Sequence, residues 1–90
     1  MELHSSDQGW RLTGHYDADS LLKIKKKLAG ERVPVSNSLD LSELKTINAP
    51  VIALMIEIRR YSDVLTLKGC REEFREMLKL YGVECVFQFA

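Results

Sequence analysis

Segments with helical period alternate with short extended segments along most of this chain, and that alternation limits the architectures open to it. Trp10-Arg11-Leu12-Thr13-Gly14-His15-Tyr16 alternates apolar and polar residues, the period of a half-buried strand. Gly14 within it points to a bulge or a close backbone approach. With Glu2-Leu3-His4 before it and a turn signal at Asp7-Gln8-Gly9, the segment predicts an N-terminal β-hairpin. The pattern then predicts helix, strand, helix, strand, helix, strand. Strands separated by helices need crossover connections and so run parallel. The expected fold is therefore α/β, with a mixed, mostly parallel sheet of about four to five strands and about three helices. With so few helices, one sheet face is expected to be covered and the other more exposed.

The first helix is expected to open at Asp17-Ala18-Asp19-Ser20, whose acidic and hydroxyl groups can cap free N–H groups, and to run to about Leu28 before Gly30 stops it. Leu21, Ile24 and Leu28 share one face, joined by Leu22. Lys23, Lys25, Lys26 and Lys27 occupy the rest, either as a solvated face near the favourable end of the helix dipole or as a contact for an acidic partner or anionic headgroups. Val33-Pro34-Val35 begins an extended segment, and Ser38-Leu39-Asp40-Leu41 continues it as strand. Residues 42–47 are expected to form a loop with Leu44 and Ile47 turned inward. After a turn at Ser62-Asp63, residues 64–68 read as a strand. The last helix is predicted over 71–81, with Phe74, Met77, Leu78 and Tyr81 as a narrow core stripe. Gly82 suits its C-cap, and 83–89 is predicted as a closing strand.

The middle helix differs from the other two. Asn48 can cap it, and Pro50 fits the first turn, where its missing N–H has no helical partner. Val51, Ile52, Leu54, Met55, Ile56 and Ile58 then cover an arc of roughly 200° at about 100° per residue, about twice what packing on one side of a sheet needs. Either neighbouring helices cover both flanks, or one flank is reserved for a partner. A homodimer is also permitted. Arg59 falls inside the arc at the far end, where its charge can snorkel outward.

Ninety residues make one domain, marginal in stability on its own. Thirteen basic and thirteen acidic residues cancel, which argues against a nucleic-acid binder. No apolar run approaches the roughly 20 residues needed to span a bilayer, so no membrane insertion is expected. The opening MELHSSDQGW has neither a basic start nor an apolar stretch, so no secretory signal is expected and the chain is expected in the cytoplasm. Cys70 and Cys85 are then expected to be reduced and structural. No metal-ligand spacing, glycine-rich phosphate loop or nucleophile–base motif is present, so neither cofactor nor enzymatic activity is expected. His15 and Asp17, two apart, could share a strand face, but that pattern is more often structural than catalytic.

Three segments in this order resemble the STAS domain, the fold of bacterial anti-sigma factor antagonists and of some transporter subunits. They are residues 10–17, similar to a strand ending in Gly-x-x-Asp; Leu39-Asp40-Leu41-Ser42-Glu43-Leu44-Lys45-Thr46-Ile47, similar to an Asp-Leu-Ser strand and its loop; and residues 64–69 with 77–83, similar to a closing strand–helix–strand. The resemblance covers nearly the whole chain, although each motif is weakly specific. It departs from the family at the second helix, where Asp-Ser-Ser-Gly or a Thr variant is common and this chain has Asn48-Ala49-Pro50-Val51. Ala49, at the position of the phosphorylated hydroxyl, has no oxygen to accept a phosphoryl group. Ser42 and Thr46 are the nearby hydroxyls.

The resemblance implies a non-enzymatic interaction module, closest in style to the short Mla-type STAS subunit that docks on the ATPase of an ABC-type phospholipid transport system. The alternative it implies is an anti-sigma factor antagonist that binds an anti-sigma kinase without phosphorylation control. On either reading the partner-binding surface falls on Asn48, Ala49, Pro50, Val51, Ile52 and Met55, with Asp17 on its rim. On that placement, Met55→Glu is expected to abolish partner capture while leaving the domain folded.

Overall fold

Trp10, Leu12, Leu39 and Leu67 are buried while Arg11, Ser38, Asp40, Thr66 and Lys68 beside them are more open, so this sheet is built to be covered on one side. The structure is a computed structural model and describes residues 1–6, 9–30, 37–60 and 64–90. Its elements in order are β1 (Glu2–Ser6), β2 (Gly9–Thr13), α1 (Ala18–Gly30), β3 (Ser38–Asp40), α2 (Ala49–Arg59), β4 (Thr66–Lys68), α3 (Glu72–Leu80), a 3-10 turn (Glu84–Val86) and β5 (Gln88–Phe89). The five strands form one sheet in the order β1-β2-β3-β4-β5. β1 and β2 are antiparallel, Leu3 opposite Leu12. The remaining pairs are parallel, with Trp10 opposite Leu39, Leu39 opposite Leu67, and Leu67 opposite Phe89. The expected α/β architecture with its N-terminal hairpin is therefore the one observed.

One hydrophobic cluster joins Trp10, Leu12, Leu39 and Leu67 of the sheet to residues of all three helices. The helices therefore share one sheet face, as right-handed crossovers advancing in one direction across a sheet require. The other face is polar. Arg11 on β2 lies 3.6 Å from Asp40 on β3 and 3.3 Å from Glu43, and His4 lies 3.3 Å from Glu2. Parallel strands usually read as continuous apolar runs because both faces are covered. Here Ser38, Asp40, Thr66 and Lys68 break that pattern, and their face is open.

Several expectations change at element ends. β2 stops at Thr13 because Gly14 takes φ +84 and makes only an isolated parallel bridge to Leu44, so His15 lies beyond the strand. β4 is shorter than predicted, beginning at Thr66. The predicted closing strand over 83–89 shrinks to two residues. Its first half is spent on local hydrogen bonds: Val83 N–H donates to Leu78 O, Val86 N–H to Val83 O, and Phe87 N–H to Glu84 O. Leu22 is 53 % exposed, because it lies about 160° around α1 from Ile24. Tyr81 is 50 % exposed, because α3 ends at Leu80 and Tyr81 serves as its C-cap. The predicted turns at Asp7-Gln8 and Ser62-Asp63 and the extended segment 33–35 lie outside the described residues.

Candidate functional site

Parallel strands send their carboxyl ends to a common edge, and the crossover helices start there. In open α/β sheets ligands bind outside that edge where the strand order reverses, and the order β1-β2-β3-β4-β5 has no reversal. Here the edge consists of the segments after β2, β3 and β4. The first two are stitched together: Gly14 N–H donates to Glu43 O at 3.1 Å, Lys45 N–H to Gly14 O at 2.9 Å, and Tyr16 N–H to the Thr46 hydroxyl at 3.1 Å. The third is held against the second by contact and by charge. Gly69 has φ +63, and a Cβ there would sit 2.7 Å from Ser42 Cβ, so the approach admits no side chain. Arg71 donates from Nη2 to Leu44 O at 2.6 Å while its guanidinium lies 4.2 Å over the Phe74 ring.

Each helix start is organised differently. Asp17 accepts from Ser20 N–H at 3.0 Å and from the Ser20 hydroxyl, which caps α1. Those two bonds, the hydroxyl first, hold its carboxyl below the ordinary range. Asn48 is extended, at φ −151, and its Oδ1 accepts from Val51 N–H at 3.1 Å, capping α2. Arg71 occupies the N-cap of α3 without a side-chain cap bond. Asp40, just before the edge, accepts from Ser42 N–H at 2.8 Å. That bond first, then the Ser42 hydroxyl and the nearby charges of Arg11 and Lys68, lowers its carboxyl as well.

The seven residues expected to bind a partner divide into two groups. Asp17 and Ala49 are exposed, and Asn48 and Pro50 are half-buried, so these four are open at the starts of α1 and α2. Val51 and Met55 are 0 % exposed and Ile52 is 4 % exposed; all three belong to the core. Their placement on a docking surface is corrected on that ground, because a partner cannot touch them without opening the domain. The exposed stripe of α2 is instead Ala49, Ala53 and Arg60. Met55→Glu would place a carboxylate in the core and is no test of docking.

Beside the α2 start lies a groove of about 280 Å³ between the 45–47 loop and α3, lined by Lys45, Thr46, Ile47, Glu73, Phe74 and Met77. Ile47 and Met77 are half-buried and supply an apolar floor between two charged residues. This groove was not legible in the sequence, since it joins segments some thirty residues apart that only the fold brings together. Arg71 and Gly69 were likewise missed: no local pattern marks an arginine as reaching back to a loop carbonyl.

His15 is exposed in the loop after β2, and no described contact links it to Asp17 as a pair. Cys70 and Cys85 are free, and burial pushes the Cys70 thiol up. Among the described residues no group of three or more His, Cys, Asp or Glu is placed to hold a metal ion, and no helix is long and apolar enough to cross a membrane. A scan against models of known protein families finds no match to this chain, and a search of curated proteins finds no significant relative.

Proposed function

We propose that this domain is a non-enzymatic interaction module that docks on a protein partner through the carboxyl edge of its sheet. The reading follows the resemblance to STAS domains and places the chain as a cytoplasmic accessory subunit that binds the ATPase of an ABC-type phospholipid transport system. The observation that carries it is the exposure of Ala49 at the head of α2, directly after the Asn48 cap that ends the 45–47 loop. A small residue there leaves the helix start open to close approach. The half-buried Ile47 and Met77 alongside offer an apolar centre, and Lys45 and Glu73 a polar rim. That arrangement suits a protein interface. With no hydroxyl on Ala49, phosphorylation cannot switch the surface at that position.

The test is affinity capture of the tagged protein from its native cell, with identification of what is recovered, compared with Ala49→Glu. A carboxylate in the first turn interacts favourably with the helix dipole, so this variant keeps α2 intact while adding bulk and charge to the surface. Recovery of an ABC ATPase with its permease, lost in Ala49→Glu, is the expected result. Undiminished recovery in the variant would remove the partner from this edge. Recovery of an anti-sigma kinase instead would establish the antagonist reading, with abundance rather than phosphorylation as its control.

A further inference from the structure

The chain is neutral overall, with thirteen basic and thirteen acidic residues, yet its charge is unevenly placed. Lys23, Lys25, Lys26 and Lys27 stand on α1, where Asp19 is the only acid. At about 100° per residue, Lys23, Lys26 and Lys27 fall within an arc of about 100° opposite the buried stripe of Leu21, Ile24 and Leu28. These three are exposed and Lys25 is half-buried on the flank. None of the four is joined to a carboxylate in the ion pairs among the described residues, although Arg11, Arg71, Arg75 and Lys79 all are. On the same outward side stands Leu22, 53 % exposed.

We infer that this face of α1 binds an anionic membrane surface. Three observations favour a bilayer over an acidic protein. All four cations are lysines, which are flexible point charges, whereas arginine supplies the fixed fork that matches a particular carboxylate. Lysine is depleted in protein–protein interfaces and arginine enriched. An exposed leucine beside the lysines gives the face the mixed character of a helix lying in the headgroup boundary, where apolar contact adds to charge attraction. Lys23 and Lys27 also line a groove of about 360 Å³ between α1 and β1, with Ser20 and Ile24 on the same side and Met1, Glu2, Leu3 and His4 opposite. The inference is independent of the partner proposed above, because α1's outward face takes no part in the edge around Ala49.

The test is flotation of the purified protein with vesicles of phosphatidylcholine containing about one-third phosphatidylglycerol. Each lysine should contribute about a fivefold gain in partition, so Lys23→Gln/Lys26→Gln/Lys27→Gln should weaken binding by about 100-fold. Salt at about 0.5 M should abolish it by screening. Leu22→Gln should weaken it several-fold with all lysines intact. Circular dichroism should show both variants folded, since the altered side chains are exposed. Three results would overturn the inference: no flotation with the anionic vesicles, equal flotation with pure phosphatidylcholine, or undiminished flotation of the triple lysine variant. Release by millimolar glycerol phosphate would also overturn it and assign the face to a soluble anionic partner.

Discussion

α2 and α3 are neighbours on one sheet face, yet their sequences demand different things of their surroundings. Five residues of α2 are buried, Val51, Ile52, Leu54, Met55 and Ile58, spread over an arc of about 160°. α3 buries only Phe74 and Leu78. The strand order places α2 between the other two helices, with α1 packed alongside it and Phe74 and Leu78 of α3 in the same buried cluster, so its apolar arc is covered within the chain. α3 lies over the edge of the sheet, with one flank in water. The width of a helix's apolar arc thus reports how many neighbours it has inside the fold. It does not by itself announce a partner outside.

The strongest way to break this comparison is a charge in each helix's most buried surroundings and in its open stripe. Met55→Glu should abolish cooperative unfolding, because an unpaired buried carboxylate costs about 3–5 kcal/mol or more, comparable to the whole stability of a domain this small. Ala53→Glu, two residues earlier on the exposed stripe, should shift the denaturation midpoint by less than about 0.5 kcal/mol. A folded, native-like Met55→Glu would show that α2 does have an open flank, and would restore Met55 to the docking surface.

The helix ends supply a smaller contrast. α3 closes with Gly82 at φ +71, where Gly82 N–H donates to Lys79 O and Val83 N–H to Leu78 O. Nothing lies within 4 Å of a Cβ at Gly82, so Gly82→Ala should cost about 1–2 kcal/mol, from the left-handed backbone alone. Asn48→Ala should cost about 1 kcal/mol by removing the cap of α2. Chemical denaturation measures both. If Asn48→Ala proves neutral, the Asn48 side chain is not what holds the helix start in shape beside Ala49.

Acid should act on two aspartates. Asp17 and Asp40 have carboxyls held below their ordinary range in the folded chain. The stability each contributes is present above the unfolded value of about 4 and is lost as pH falls through the lower folded value. Asp40→Asn should therefore flatten the loss of stability below about pH 4 while leaving its slope near neutrality unchanged. A thermal-unfolding series over that range would show it, and an unchanged acid limb would mean the Asp40–Ser42 turn contributes nothing.

The smallest effect is expected at Tyr81. Its spacing from Phe74, Met77 and Leu78 reads as core, but it is half exposed beyond the end of α3, so Tyr81→Ser should change stability by less than about 0.5 kcal/mol. A cost of about 2 kcal/mol or more would mean the stripe extends further than the helix does.

Much of the fold was legible because short-range periodicity fixes it. The alternation in 10–13, the stripe of Leu21, Ile24 and Leu28, the Asn48-Ala49-Pro50 helix start and Gly82 as its neighbour's stop all depend on residues within a few positions of each other. The order of the elements then left the crossover rules little choice but a mixed sheet with the hairpin at one edge. The candidate site was legible only in part. Asn48 and Ala49 could be placed at a helix start from the sequence, but whether Val51, Ile52 and Met55 faced out or in depended on what lay beside α2. That is decided by α1, α3 and the sheet, from segments far away in sequence. The same holds for Arg71 reaching Leu44 O, for Gly69 pressed against Ser42, and for the groove between Ile47 and Met77. Local patterning determines which residues want to be buried and in what element, because backbone period and capping act over a turn or two. Tertiary structure alone decides which of those demands are met inside the chain, because burial is a property of all the neighbours at once.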